Sequence, residues 1–182
     1  HQYSVEAGKI YHGRDYFVEG DASSASYFFA AAAILKKPVR VHGIGSGSRQ
    51  GDMRLLKVLE KLGCRVNSGD NWIEVACDAL QEGDFTFDLN DMPDMVPTLA
   101  VLAAFRRGQT VITNVAHLRL KESNRLGALA AELSRIGIEV SETADGLIIQ
   151  GGNPRPAQIE TYNDHRIAMS FAVAGFAAPG IE

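Results

Sequence analysis

Residues 39–44 read VRVHGI and resemble residues 110–115, TVITNV. A second pair follows, because KLGCRV at 61–66 resembles RIGIEV at 135–140. The first pair is offset by 71 residues and the second by 74, so about three extra residues lie between the matching segments of the second copy. Self-similarity of this kind indicates a chain built from copies of one supersecondary unit.

Both copies have the same predicted order of elements: helix, strand, helix, strand and strand. An alanine-rich helical stretch precedes each first strand, and two strand-like runs around a GD or DG turn follow each second helix. A short extended segment precedes each copy, and a third such segment, IETYNDHRIAM, begins another. The pattern predicts one α/β domain with units at about 18–77 and 85–151 and a truncated unit at 157–182.

Composition and charge exclude several classes of protein. The chain has 182 residues, of which 46% are hydrophobic and 22% charged, a balance typical of a globular domain with a real core. A formal charge of -4 without a Lys/Arg-rich run argues against binding of nucleic acid or of an anionic membrane. The longest apolar run, YFFAAAAIL at 27–35, is shorter than the roughly 20 residues of a membrane span.

The cysteines and the first residues bear on the cellular compartment. Cys64 and Cys77 have no neighbouring His or Cys at the spacing of metal ligands, so no metal site is expected. We interpret both as packed, reduced thiols of a cytosolic protein. Residues 1–20 lack the cationic start and apolar stretch of a secretion signal. The sequence therefore predicts a cytoplasmic protein.

Three predicted helices begin with side chains that can cap them. The candidates are Asp21, Ser23 and Ser24, then Asp91 and Asp94, and finally Asn163 and Asp164. If the repeats are related by an approximate rotation, the three helix starts lie at one end of the domain. Each start carries a partial charge of about +0.5, which favours phosphate or carboxylate ligands.

A dense charge cluster occurs at residues 119–126, RLKESNRL. Glu122 and Arg125 have i,i+3 spacing and are compatible with an ordinary surface ion pair. Lys121 and Arg125 have i,i+4 spacing, which would place two repelling cations on one helical face. The corresponding loop of the first copy, GSGSRQGD, has Arg49 as its only cation. Because the fold does not require the charges in both copies, we favour a role in binding an anionic ligand.

Charged side chains beyond the needs of capping occur at two other predicted helix starts. Asp94 follows Asp91, which could already cap its helix, so the second carboxylate is either a partner of the helix dipole or a functional group. His165 and Arg166 follow a cap at Asp164 and oppose the dipole, at a cost of about 0.3–1 kcal/mol each. The pattern indicates an anion at this helix start.

Four motifs together resemble one family. GDASSAS, PDMVPTLA, LKESNR and YNDHRIAM, in this order and spacing, closely resemble the 3-phosphoshikimate 1-carboxyvinyltransferase (EPSP synthase) family, and the resemblance begins near Tyr16. It implies an EPSP synthase-like domain of repeated βαβαββ units, with helix starts directed at a cleft. It also implies that residues 18–182 are most of a C-terminal domain. Residues 1–17 would then be a linker or the end of a second, missing domain.

The resemblance implies roles for two carboxylates in the transfer of an enolpyruvyl group from phosphoenolpyruvate to the 5-hydroxyl of shikimate 3-phosphate. Asp94 matches the proposed proton acceptor for the hydroxyl, and Glu122 matches the proposed proton donor. The reaction requires two acids in opposite protonation states. No metal or cofactor is implied.

Five further residues are candidates for substrate binding, and three of them match positions of the family. Lys121 matches a contact to the phosphate of shikimate 3-phosphate, while Arg125 and Arg166 match ligands of phosphoenolpyruvate. His165 lies beside Arg166. His117 departs from the pattern, because some members have Asn there, so that substrate contact is an open question.

The partners implied are the two substrates and the missing N-terminal domain, with no nucleic acid or membrane, and a monomeric full-length protein. Two alternatives remain open. A related class of enzymes transfers the same group to a UDP-sugar but lacks the KES-R and NDHR strings. Alternatively, the chain alone is a folded module that binds anions weakly and catalyses nothing, because half of the cleft is missing.

Overall fold

The repeat seen in the sequence corresponds to two similar structural units. In the computed structural model, which describes residues 3–182, the first unit follows the predicted order of helix, strand, helix, strand and strand. Its elements are α1 (Ala22–Leu35), β1 (Val39–His42), α2 (Leu55–Lys61), β2 (Arg65–Gly69) and β3 (Trp72–Ala76), with a 3-10 helix at Gly51–Arg54 before α2.

The second unit is a complete βαβαββ unit. Its elements are β4 (Phe85–Asp88), α3 (Val96–Ala104), β5 (Gly108–Thr113), α4 (Arg125–Arg135), β6 (Glu139–Glu142) and β7 (Leu147–Gly151), with 3-10 helices at Pro93–Met95 and Ala116–Leu120. The third unit contains α5 (His165–Ala177). The predicted α/β class and the repeated units are therefore confirmed.

The strands form two sheets, one for each unit. The first sheet has the order β1-β3-β2 and is antiparallel throughout. The second has the order β4-β5-β7-β6, in which β4 and β5 are parallel because α3 crosses between them. The first unit has no strand that corresponds to β4. Its extended lead-in instead bonds through the Gly20 N–H to the Gly43 carbonyl oxygen at 2.6 Å.

Corresponding turns of the two units use the same backbone conformation. Gly43 follows β1 and Asn114, 71 residues later, follows β5, with φ of 93° and 62°. Gly63 and Gly137, 74 residues apart, follow the second helix with φ of 93° and 83°. A left-handed residue after a helix satisfies its last carbonyl groups, and glycine does so without steric cost. The two sequence offsets thus mark structurally equivalent turns.

The core lies where α1, α3 and α5 pack on one another. All nine residues of α3 are buried, as expected for a central helix without a polar face. Ser26 of α1 and Thr98 of α3 form a buried hydrogen bond of 3.0 Å between their hydroxyl groups. The outer faces of α1 and α5 leave Phe28, Met169 and Phe176 exposed.

The remaining described parts of the chain are simple. Residues 3–19 are exposed and form no helix or strand, so the predicted linker at 1–17 stays a prediction, and its first two residues lie outside the described range. Cys64 and Cys77 are buried and not disulfide-bonded, as predicted. Within residues 3–182, no helix is both long and apolar enough to cross a bilayer.

Candidate active site

The side chain of Arg125 is buried and binds three carboxylates. Its Nε donates to Asp164 Oδ2 at 2.8 Å, Nη1 to Asp94 Oδ1 at 3.0 Å, and Nη2 to Glu122 Oε2 at 2.6 Å. Only 1% of the Arg125 side chain is exposed. The three carboxylates come from the turn before α3, the loop before α4 and the start of α5, so one guanidinium joins three segments.

The start of α4 places Arg125 in this position. Asn124 is the N-cap, and its side chain accepts a hydrogen bond from a backbone N–H of the first turn, so Arg125 is the first helical residue. Lys121 and Glu122 precede the helix, and Lys121 has an extended backbone. The prediction that Lys121 and Arg125 share a helical face was therefore wrong. The predicted ion pair of Glu122 with Arg125 is present, but it is not an intrahelical pair.

Asp94 bridges two arginines rather than capping a helix. Its Oδ1 accepts from Arg125, and its Oδ2 accepts from Arg166 Nη2 at 2.8 Å. The predicted cap at Asp91 was wrong, because a 3-10 turn intervenes before α3 and neither start has a side-chain cap. Asp91 instead forms an exposed ion pair of 2.8 Å with Arg54. The surplus carboxylate noticed in the sequence thus belongs to the charge cluster.

Asp164 is the N-cap of α5, as predicted. Its carboxylate accepts from the Arg166 backbone N–H at 2.9 Å and from the Ser123 hydroxyl at 3.0 Å, in addition to Arg125. Burial alone would raise the pKa of Asp164, but the hydrogen bonds from Arg125, Arg166 and Ser123 outweigh burial and lower it below its ordinary value. The carboxylate is thus a fixed anion at the centre of the cluster.

The backbone before this cap is strained. Tyr162 and Asn163 are both left-handed, with φ of 56° and 52°, a conformation that costs about 1–3 kcal/mol for a residue other than glycine. The buried Glu132 of α4 holds this segment, since it accepts from the Tyr162 hydroxyl at 2.8 Å and from the Glu160 N–H at 3.1 Å. Sequence reasoning missed Glu132, although an acidic residue within the apolar pattern of α4 is a detectable signal.

The helix starts converge on this cluster. Asp21 caps α1, confirming its predicted role. Burial alone would raise the pKa of Asp21, but hydrogen bonds from Ser24 and Ser23 and the nearby charge of Arg166 lower it. Arg166 of α5 bonds Asp94 before α3, Arg125 joins the start of α4 to both segments, and the charge of Arg166 acts on Asp21, so the starts of α1, α3, α4 and α5 meet at one mouth. The predicted arrangement of helix starts is confirmed.

The N–H donors of Arg125 are mostly hydrogen-bonded to carboxylates, whereas those of Arg166 and Lys121 are mostly free among residues 3–182. The Arg125 guanidinium has five N–H groups and donates four hydrogen bonds to carboxylates. Burial would lower its pKa, but Asp164, Glu122 and Asp94 raise it, so it stays a cation. Arg166 makes one side-chain hydrogen bond among residues 3–182. Within the same range, exposed Lys121 makes no ion pair. Arg166 and Lys121 therefore have N–H groups available for an anion.

The two histidines lie outside this network. His165 is the exposed first residue of α5. His117 is exposed in the 3-10 helix after β5, where it lines an open cleft of about 570 Å³ with Asp88, Asn114 and Asp145. Among residues 3–182, no hydrogen bond joins either histidine side chain to Arg125. The geometry thus groups Asp94, Glu122, Arg125 and Arg166.

Comparison with known proteins assigns the chain to one family. A family model described as EPSP synthase (3-phosphoshikimate 1-carboxyvinyltransferase) matches residues 1–182. Relatives named 3-phosphoshikimate 1-carboxyvinyltransferase include those of Trichormus variabilis, 46% identical over 99% of this chain and 42% of the relative, and Syntrophobacter fumaroxidans, 48% identical over 98% and 42%. The chain thus spans about 42% of the length of these relatives.

Solved structures have a similar fold. EPSP synthase from Acinetobacter baumannii superposes with a TM-score of 0.76 at 31% identity, covering 90% of this chain and 41% of that one. The enolpyruvyl transferase NikO from Streptomyces tendae has a TM-score of 0.63 at 22% identity, covering 89% and 38%, and shares the fold. With the whole chain matched by the family model, this chain belongs to the EPSP synthase family.

Proposed function

We propose that this chain is the C-terminal domain of an enzyme that transfers the enolpyruvyl group of phosphoenolpyruvate to the 5-hydroxyl of shikimate 3-phosphate, releasing phosphate. The observation that carries the proposal is the convergence of Asp94, Glu122, Arg125 and Arg166 at one mouth of helix starts. Membership of the EPSP synthase family supports the identity of the two substrates.

Two arginines and a lysine would bind the anionic substrates. Arg166 has N–H groups that the other described residues leave free, and a planar guanidinium suits bidentate binding of the carboxylate or phosphate of phosphoenolpyruvate. Buried Arg125 would contribute its remaining N–H and a fixed positive charge. Exposed Lys121 would contact the phosphate of shikimate 3-phosphate, and His165 lies next to Arg166 at the start of α5.

Two carboxylates would move protons. Asp94 would accept the proton of the 5-hydroxyl as its oxygen attacks the substituted carbon of phosphoenolpyruvate, and Glu122 would protonate the methylene carbon. The resulting tetrahedral intermediate loses phosphate and one methyl proton to restore the double bond. Bridging by Arg125 supports this pairing, because the same guanidinium contacts both acids and can redistribute its hydrogen bonds as their charges change.

The role of His117 is less direct. Its cleft is lined by Asp88, Asn114 and Asp145 and by no residue of the Arg125 network. We propose that His117 replaces the amide of other family members only if shikimate 3-phosphate extends from the network towards this cleft. A His117→Asn variant with an unchanged KM for shikimate 3-phosphate is expected if the two side chains are equivalent.

The chain alone would be inactive. Residues 18–182 would form the C-terminal domain, and residues 1–17 a linker or the end of the preceding domain. The large apolar side chains exposed on α1 and α5, Phe28, Met169 and Phe176, support a further covering segment in the longer protein. The longer protein would be a cytoplasmic monomer that needs no cofactor.

A complementation assay tests the proposal. The chain is mixed with the remaining parts of the longer protein, and phosphate release from phosphoenolpyruvate plus shikimate 3-phosphate is measured. We expect no release by the chain alone and release by the mixture and by the full-length protein. Release by the full-length protein with a UDP-sugar but not with shikimate 3-phosphate would overturn the proposal.

A further inference from the structure

The hydroxyl group of buried Tyr27 has no hydrogen-bond partner among residues 3–182. Tyr27 lies in α1 and is 6% exposed, yet its hydroxyl forms no hydrogen bond. Among residues 3–182, the only other buried side-chain polar atom in this state is the hydroxyl of Ser170 in α5. Buried polar groups are nearly always paired, so an unpaired one calls for an explanation.

The Tyr27 hydroxyl is beside the charge cluster. Burial raises the pKa of the Tyr27 phenol, and both the charge of the adjacent Arg166 and its polar interaction with the phenol oppose the increase. The charge of Arg125 also lowers this pKa, whereas that of Asp164 raises it. The neighbouring residue, Ser26, is fixed to α3 by its hydrogen bond with Thr98. The Arg166 guanidinium thus lies close enough to the phenol to lower its pKa, yet the Tyr27 hydroxyl has no partner at hydrogen-bonding geometry.

Arg166 is suited to move between partners. Its side chain donates one hydrogen bond within the described chain, to Asp94, and is 14% exposed. Asp94 keeps a second arginine partner, Arg125, if Arg166 leaves. Because the Arg166 backbone N–H is fixed by Asp164, only the guanidinium is free to turn. An arriving anion would draw this guanidinium away from Asp94.

We propose that Tyr27 is a positioning residue for Arg166, whose turned guanidinium donates a hydrogen bond to the Tyr27 hydroxyl when an anionic substrate is bound. The inference rests on the proposed function, which supplies phosphoenolpyruvate as the anion. The hydroxyl is unpaired in the ligand-free protein because its partner is then bound to Asp94. A buried hydroxyl that is unpaired in one state and paired in the other favours the paired state.

Tyr27→Phe separates this role from a purely structural one. The substitution removes no hydrogen bond from the ligand-free protein, so its thermal midpoint should be unchanged or higher. A hydrogen bond to a charged group disappears from the ligand-bound protein, so the Kd of phosphoenolpyruvate should rise about ten-fold or more. A residue needed only for packing would lower the midpoint and leave the Kd unchanged.

Ser170→Ala is the matched control, because it also removes an unpaired buried hydroxyl. Ser170 lies in α5, more than one helical turn after Arg166. Both variants are made in the full-length protein. Calorimetry gives the Kd of phosphoenolpyruvate in the presence of shikimate 3-phosphate, and scanning calorimetry gives the ligand-free midpoint. We expect Ser170→Ala to keep the parental Kd.

Each outcome decides the inference. A Tyr27→Phe Kd within about two-fold of the parent, a lowered midpoint, or an equal rise in Kd for Ser170→Ala would overturn it. Failure of the proposed function is distinguishable, because the parent would then bind phosphoenolpyruvate without transferring its enolpyruvyl group. A parent that does not bind phosphoenolpyruvate would refute both.

Discussion

The same connection, which runs from β1 to α2 in the first unit and from β5 to α4 in the second, is closed without a buried cation in the first unit and around one in the second. In the first unit, the Asp52 carboxylate accepts a hydrogen bond from the Ser23 hydroxyl of α1. In the first unit, the Gln50 amide accepts from the Ala22 N–H and donates to the Gly20 carbonyl, both at 2.8 Å. In the second unit, buried Arg125 binds Asp94, Glu122 and Asp164. The same connection of the fold is thus held by an amide in the first unit and by a guanidinium in the second.

The comparison separates structural from functional requirements. Both connections tie the start of a central helix to the loop beside it, so the fold needs the tie but not the buried cation. The neutral tie, formed by the Gln50 amide, uses the amide oxygen and one of its two N–H groups for backbone groups. The charged tie fixes the acids around Arg125 and leaves Arg166 with free N–H groups. The buried cation of the second unit and the free N–H groups of Arg166 therefore point to ligand binding.

The largest effect is expected from removing the central cation. Arg125→Met leaves the buried carboxylate of Asp164 without its ion-pair partner, and breaking a buried pair in this way costs about 3–5 kcal/mol. Arg49→Met in the first-unit loop, where the cation is exposed, should change stability by less than about 0.5 kcal/mol. Urea unfolding of the full-length variants measures both. A loss below about 1 kcal/mol for Arg125→Met would contradict a structural role for the charged tie.

The second largest effect is expected from replacing Asp94, which accepts a hydrogen bond from Arg125. Asp94→Asn keeps the shape but removes the proton acceptor, so kcat for phosphate release should fall by about 100-fold or more. Asp91→Asn is the matched control three residues earlier, where an exposed ion pair with Arg54 contributes little. Steady-state kinetics of both variants test the prediction. Equal losses for both variants would show that Asp94 has no role in the chemical step.

Sequence reasoning succeeded where the signals are local. The order of elements and the predicted turns between β2 and β3 and between β6 and β7 follow from nearby apolar patterns and from the GD and DG turn signals. It failed for Lys121, because Asn124 was not recognised as the cap that starts α4. It failed for Asp91, because the 3-10 turn at Pro93–Met95 separates this residue from α3.

Long-range partners could not be predicted in the same way. The pairing of Arg125 with Asp164 spans 39 residues and depends on how α4 and α5 pack. The sequence marked Asp164 as a cap but gave no sign that it is also a buried counter-ion. The unpaired hydroxyl of Tyr27 is likewise invisible in an apolar helical run. Local patterns place residues near a site, whereas their partners are determined by the tertiary packing.

A smaller effect is expected from breaking the neutral tie. Gln50→Ala removes two hydrogen bonds at the start of α1, so the free energy of unfolding should fall by about 1–2 kcal/mol. The values of kcat and KM should stay at those of the parent, since the Gln50 amide bonds only backbone groups. Urea unfolding and steady-state kinetics of the same preparation measure both. A change in KM without a loss of stability would show that the first-unit loop also contacts a ligand.

The smallest effect is a pH dependence that differs between two helix caps. In the folded protein, the pKa of Asp164 lies below its ordinary value of 3.8. The Asp164 carboxylate therefore stabilises the fold above pH 3.8, and this stabilisation is lost as the pH falls through the folded pKa. Between about pH 5 and pH 3, Asp164→Asn should therefore show a shallower decline of the thermal midpoint than the parent. Asp21→Asn should flatten the decline less, because the cap of α1 bonds serine groups and no guanidinium. Parallel curves for the parent and both variants would show that the two helix caps respond alike to acid.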